Sequence, residues 1–387
     1  MGEDMEDTST AIAIIRDQAR EVAAGWSVPG APASWRLTAT IFTGLAEDDD
    51  LLTLAAAIPL DRLPPLLLSG AARYLIDKYD PDPLASYFPV AGRPQPPLDD
   101  GLWPAFKAFC MRHRGELAEV CGRHRYQMNE VARCTQIAVA LGMLTRDDPS
   151  RPVALVDIGT GSGLGLHLDR YRYTLGDQAS FGDPASTLDL RCEIRGALDP
   201  PVPQRLPPIT HRMGVDTSPI DLSDPAAVRW LVCCTPPEAA SVTRCAGAIA
   251  IARAHRSPVV AGDACDVLPE LLRSMPSWPR LVLTDAYTAV FFSEEQLARL
   301  NEIVAGTGAS RDIAWISLDP LIPLGSRGRS SVQGLDLPGP LISRYQREGV
   351  FSILGVVSYE DGRRRQRLLA RSHPSGTWME WLDPETA

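Results

Sequence analysis

The stretch VDIGTGSGLGLHLDRY, from Val156 to Tyr171, decides how the rest of the chain is read. An apolar run from Pro152 to Ile158 predicts a buried strand, and Gly159, Gly161 and Gly163 predict a loop. A helix is expected from about Leu164. Glycine suits such a loop because the backbone must turn sharply at positive φ and a ligand can approach it without meeting a Cβ. A helix starting there points its unpaired N–H groups at the loop contents. The geometry is that of a small-molecule pocket in an α/β protein.

Spacing narrows the ligand. A dinucleotide fingerprint needs G-x-G-x-x-G, yet the sixth position is Leu164 counted from Gly159 and Leu166 counted from Gly161. A phosphate-binding loop needs Gly-Lys-Ser/Thr, and the lysines are Lys78 and Lys107, far from the glycines. A nucleophile elbow around Ser162 needs glycine where Thr160 stands. What remains is acid-x-G-x-G-x-G, which resembles motif I of S-adenosylmethionine-dependent methyltransferases. The resemblance implies that Asp157 takes the amino group of the methionine moiety, with Gly159, Gly161 and Gly163 lying under it. The competing reading is a glycine-rich strand-to-helix turn with no cofactor.

At 387 residues the chain is long enough for two domains. A formal charge of -10 argues against nucleic acid or an anionic membrane as the main partner. No apolar run reaches the ~18 residues of a membrane span, and the start MGEDMEDTST is acidic and polar, unlike a signal peptide. A cytoplasmic protein is expected. The eight cysteines show no C-x-x-C spacing and include adjacent Cys233 and Cys234, so they read as reduced, buried small hydrophobes.

Residues 1–149 read as an all-helical N-terminal cap domain. Thr8 to Thr10 offer an N-cap to AIAIIRDQAREVAAGW. Further helices fit 34–46, 48–57, 63–78, 105–120 and 125–144, with a proline-rich loop over 80–104. Cys110-x-x-His113 and Cys121-x-x-His124 suggest a metal site. On a continuous helix, however, the pairs sit ~16 Å apart, against zinc bonds of ~2.0–2.3 Å. No metal is expected.

Residues 150–387 read as a Rossmann-like sheet of class I methyltransferase type, with an insertion at about 176–212 that holds a strand (187–195) and the run PPVPQRLPPI. A strand ending in Gly214-Val215-Asp216 places an acid where it could accept ribose hydroxyls, an Asx turn being the other reading. The strand 258–261 leads into GDACDVLPELL, where the methyltransferase resemblance implies that Asp263 and the backbone of Ala264 hold adenine while Asp266 caps the next helix. The strand 280–284 ends in Asp285-Ala286-Tyr287, and ligands of open α/β sheets bind at the carboxyl ends of strands. Asp285 and Tyr287 are therefore the sheet's candidates for substrate chemistry. Helix 294–305 and strand 313–318 continue the pattern. Residues 319–349, rich in Pro, Gly and Ser, read as either a lid or an ordered surface loop, and Asp361-Gly362 turns a closing hairpin whose run Arg363 to Arg367 is a solvated strand face.

Several segments together resemble the bacterial family called domain of unknown function 2332: FKAFC from Phe106, NEVARC from Asn129, LDRYRY from Leu168, CEIRG from Cys192, Arg212 to Asp221, GDACDVLPEL from Gly262, and TWMEWL from Thr377. That resemblance implies a helical N-terminal half and a methyltransferase-like C-terminal half, with no established reaction.

Methyl transfer needs in-line approach at near-attack distance and often a base. The polar residues expected to face the pocket are Asn129, Glu130, Arg133, Asp169, Arg170, Asp285 and Tyr287. Asn129 and Arg133, at i and i+4 of one helix, could grip a carboxylate or phosphate. The bland alternative has Glu130 and Arg133 pairing with Arg170 and Asp169 to fasten cap to sheet. Three functions compete: an S-adenosylmethionine-dependent methyltransferase acting on a small molecule in specialised metabolism; an enzyme of the same fold catalysing intramolecular displacement, cyclisation or elimination in a biosynthetic pathway; and a non-catalytic subunit binding a protein partner. Fold alone does not choose among them.

Overall fold

The computed structural model describes residues 2–27, 33–79, 81–177, 179–320, 331–348 and 351–383. The chain forms two compact units. The first comprises Met1–Asn129 and Ser223–Ala246; the second comprises Glu130–Leu222 and Gly247–Ala387. The division therefore falls 20 residues earlier than the expected 149/150 boundary, and a later segment returns to the first unit.

The helical unit contains Gly2–Gly25, Arg36–Glu47, Asp49–Ala56, Pro64–Ile76, Leu102–Arg112, Arg114–Arg123 and Pro225–Cys234. Local chemistry sets the starts: Asp48 caps one helix by accepting from Leu51 N–H, and Pro64 and Pro65 open another, where no N–H is needed. Ile15, Leu37, Ile41, Leu45, Leu67, Phe106 and Phe109 form one apolar core with Trp230 and Cys234 of the returning segment. Trp230 Nε1 donates to Arg125 O at 2.9 Å, and Arg73 donates to Thr235 O at 2.8 Å.

Two helix expectations need correction. The helix drawn over 105–120 breaks at His113, between Leu102–Arg112 and Arg114–Arg123. The helix drawn over 125–144 does not exist as such: residues 124–130 are non-helical, a 3-10 turn covers Val131–Arg133, and the α-helix is Cys134–Leu144. That helix is almost wholly buried in the second unit, where Gln136 Nε2 donates to Gly376 O at 3.2 Å.

The second unit is mixed α/β around one large sheet. Its strands are β1 (Val153–Ile158), β2 (Arg172–Leu175), β3 (Ala179–Gly182), β4 (Asp189–Arg195), β5 (Ile209–Asp216), β6 (Val259–Ala261), β7 (Arg280–Ala286) and β8 (Ile313–Pro320). A two-stranded hairpin, β9 (Ser331–Val332) and β10 (Leu335–Asp336), precedes β11 (Ser352–Glu360), β12 (Arg363–Ser372) and β13 (Trp378–Trp381). The sheet order is β3-β2-β4-β13-β12-β11-β8-β7-β1-β5-β6. Strands β6, β5, β1, β7 and β8 run parallel, whereas β11 is antiparallel to both β8 and β12. Continuous apolar sequence explains the central strands: β8 is buried at all eight positions, as expected where helices cover both faces.

The expected helix after the glycine loop is instead a seven-residue 3-10 segment, Leu164–Arg170, kinked at His167. Tyr171 and Tyr173 pin it, their hydroxyls donating to Leu164 O at 2.7 Å and Leu168 O at 2.5 Å. The chain then enters β2. The excursion expected over 176–212 thus belongs to the sheet: β2, β3 and β4 extend it through the β4–β13 pairing, and β5 already begins at Ile209. Within 319–349, Asp319 and Pro320 end β8 and Gly339–Glu348 is a helix; residues 321–330 and 349 lie outside the described residues. Among the described residues, no helix is long and apolar enough to cross a membrane.

Candidate functional site

Loop 159–163 turns where the sequence reading puts it, with φ of +64°, +57° and +77° at Gly159, Gly161 and Gly163. Its N–H groups are largely engaged. Gly159 and Thr160 N–H donate to Val215 O, Gly163 N–H to Thr160 O, and Gly161 N–H to Asp216 Oδ2 at 2.8 Å. Those four N–H groups are therefore turned to the protein and not to a ligand. Neighbouring side chains account for the small residues. A Cβ on Gly159 would fall within 2.5 Å of Thr288 Cγ2, one on Gly214 within 2.5 Å of Thr160 Cγ2, and one on Gly165 at 3.0 Å from Asp157 Oδ2. One hydroxyl of the loop, Ser162 Oγ, is buried without a hydrogen-bond partner.

The acids divide into two kinds. Asp157 Oδ1 accepts from Thr284 Oγ1 at 2.7 Å. Burial raises its pKa to about 6, with hydrogen bonds from Thr160 and Thr284 opposing the rise and Asp285 and Asp216 adding to it. Asp216 and Asp263 instead hold their own backbone. Asp216 Oδ1 accepts from Ser218 N–H at 2.7 Å while Oδ2 holds Gly161, which is the Asx turn that the sequence offered as the alternative. Asp263, not Asp266, is the N-cap of helix Ala264–Ser274; it accepts from Cys265 N–H at 2.8 Å and from Gln296 Nε2 at 3.0 Å. Ala264, the first residue of that helix, is buried.

At the ends of β7 and β8 the polar groups are side chains. Asp285 is 1% exposed, with Trp315 Nε1 donating to Oδ2 at 2.6 Å and Ser317 Oγ at 3.2 Å from Oδ1. Burial, then the neighbouring Asp319, push its carboxyl well above the usual range. Tyr287 has φ +63°, a conformation costly for a bulky residue and common where structure serves a site. Its hydroxyl lies 2.5 Å from Ser352 Oγ, and the Arg133 guanidinium sits 3.6 Å from its ring centroid. Burial raises the Tyr287 phenol to about 12 despite Arg133. Arg133 Nε donates to Pro374 O at 2.7 Å.

The structure thus brings Arg133 to Tyr287 and Asp157 near Asp285, but undoes two other groupings. Asn129 and Arg133 share no helix face; Asn129 donates locally to Gln127 O, and Glu130 accepts from Ala132 N–H. Asp169 gives both oxygens to Arg212 at 2.7 Å, and Arg170 lies 3.4 Å from His255 Nε2, so neither fastens Arg133. In the helical unit His113 stacks on Tyr79 and His124 on Trp230. Among the described residues no group of His, Cys, Asp and Glu is arranged to hold a metal. None of the eight cysteines is in a disulfide, and six are buried. The sequence reading missed Thr284, Thr288, Ser317, Asp319 and Ser352, the residues that partner its candidates.

This is a mixed α/β protein with polar side chains buried at the carboxyl ends of its central strands. The chain belongs to the family described as uncharacterised proteins conserved in bacteria, domain of unknown function 2332, whose model matches residues 14–381. No curated protein matches the sequence.

Proposed function

We propose that the sheet unit is a methyltransferase-like enzyme of a small molecule, with S-adenosylmethionine as the ligand to test first. Topology supports the place. The order β6-β5-β1-β7-β8 follows the 3-2-1-4-5 succession of doubly wound sheets, whose ligands bind where the order reverses, here between β1 and β7. The observation that carries the reading is electrostatic: Asp157 is held at that point beside Asp216 and Asp285, a setting that favours a positively charged ligand. The engaged loop N–H groups argue in the same direction, against an anion.

The residues fit one end of such a ligand better than the other. Asp157 with Thr160 and Ser162 suits an ammonium and its polar neighbours. Asp216 and Asp263, already accepting two hydrogen bonds each, offer a ribose and adenine only their remaining lone pairs. When bound, the group would supply a methyl on positively charged sulfur. The protein's part is to hold the cation at Asp157 and to align a nucleophile near Asp285 and Tyr287.

Calorimetric titration with S-adenosylmethionine and S-adenosylhomocysteine tests this, with Asp157→Asn alongside. Binding should be micromolar, be lost in the variant, and weaken as pH falls through about 6, where Asp157 takes up its proton. No heat from a folded wild-type protein sinks the methyl-donor reading. The second reading, cofactor-free displacement, cyclisation or elimination, is favoured by one feature: Thr288, not a ligand, fills the space over Gly159.

A further inference from the structure

β8 reads IAWISLDP, an apolar strand interrupted at alternate positions by Ser317 and Asp319. Period-two geometry puts Trp315, Ser317 and Asp319 on one face, and the parallel register sets Asp285 of β7 opposite Ser317. All four are at least 95% buried. Ser317 Oγ lies 3.2 Å from Asp285 Oδ1 and 3.3 Å from Asp319 Oδ2.

A serine hydroxyl has one hydrogen and can donate to only one of these carboxyls. The other contact is a hydrogen bond only if that carboxyl carries a proton and donates it to the serine oxygen. Trp315 Nε1 donates to Asp285 and opposes protonation there, but burial and the neighbouring Asp319 raise the Asp285 carboxyl. The proton therefore rests on Asp285, which donates to Ser317 while Ser317 donates to Asp319. Two carboxyls bridged by one hydroxyl in a buried site do not both ionise readily, and they titrate as a pair.

We propose that Asp285 and Asp319 form one carboxyl pair sharing a single proton through Ser317 at neutral pH, a stored acid at the carboxyl ends of β7 and β8. Its use on a ligand rests on the small-molecule reading above; the shared proton does not. The chemistry suits a ligand with a basic atom: the Asp285 O–H bond breaks as the proton bonds to that atom, both carboxyls are then ionised, and the proton returns from product or solvent. No redox partner is needed.

Infrared spectroscopy of the full chain at pH 8, without ligand, tests the pair. At that pH Asp157, with a pKa of about 6, is ionised and silent in the carboxylic-acid region. The wild type should show the C=O stretch of one protonated carboxyl, shifted in deuterium oxide and missing from both Asp285→Asn and Asp319→Asn. A wild type lacking that band overturns the proposal however the variants fold. A band that persists in Asp319→Asn also overturns it, because burial alone would then hold the proton on Asp285. A negative S-adenosylmethionine titration leaves this result untouched, so the two readings fail separately.

Discussion

At the end of β1 the chain closes on itself through backbone: Gly159, Thr160, Gly161 and Gly163 donate within the protein, and Asp216 serves as a clamp. At the ends of β7 and β8 the same sheet buries the side chains of Asp285, Ser317 and Asp319 against one another, and buried Arg133 stacks on half-buried Tyr287. The first region is conspicuous in sequence because tight backbone demands glycine. The second carries more of the polar chemistry yet is quiet in sequence, since its partners meet only through strand pairing. A motif can therefore mark where a chain must turn, while the chemistry lies one or two strands away.

The comparison breaks most sharply at Gly159. If the glycine is needed for Thr288, Gly159→Ala suffers twice: Ala pays about 1–2 kcal/mol at positive φ, and its Cβ overlaps Thr288, for roughly 1–3 kcal/mol more. A loss of roughly 3 kcal/mol in urea denaturation is expected, partly recovered in Gly159→Ala/Thr288→Ala. Wild-type stability for Gly159→Ala would mean that the loop tolerates a Cβ and that the glycine serves something else.

Asp157 gives a smaller effect of opposite sign. Its folded pKa, about 6, lies above the unfolded value near 3.8, so its contribution to stability is present below about pH 4 and is lost as pH rises through about 6. The half-buried Asp157→Asn should therefore be more stable than the wild type at pH 7.5, by on the order of 2 kcal/mol, and equal to it near pH 4. Denaturation curves at the two pH values check this. A variant less stable at pH 7.5 would show that the carboxylate is a structural acceptor, like Asp216.

Legibility in sequence followed the range of the interactions involved. The strands β6 to β8 announce themselves through short apolar runs bounded by Asp, Gly and Pro, and the structure keeps them within a few residues. The segment LGLHLDRY has helical spacing and no proline, but Tyr171 and Tyr173 bond back to its carbonyls and fold it as a 3-10 turn. Residues 125–130 read as helix because nothing in RYQMNE forbids one; Arg125 O goes instead to Trp230, 105 residues away. Asp319 escaped notice because a lone acid before proline looks like a strand end. Its alternation with Ser317 inside a buried strand was the available signal, and reading it required knowing that β7 pairs with β8.

The smallest effect sharpens the second region. Arg133 lies over the Tyr287 ring at 3.6 Å while its Nε holds Pro374 O, so the planar guanidinium both stacks and donates. A lysine keeps the charge but neither the stacked plane nor the same donor, and Arg133→Lys should cost about 1 kcal/mol. Part of that loss belongs to Pro374 and part to Tyr287, which a double-mutant cycle separates. With Tyr287→Leu as the second change, which leaves the positive-φ strain in place, the coupling should be about 0.5–2 kcal/mol. Zero coupling, with the full loss retained in Arg133→Lys, would assign the arginine to the Pro374 carbonyl. The ends of β7 and β8 would then resemble the glycine loop, a place where polar groups serve the backbone, and the contrast would narrow to the carboxyl pair alone.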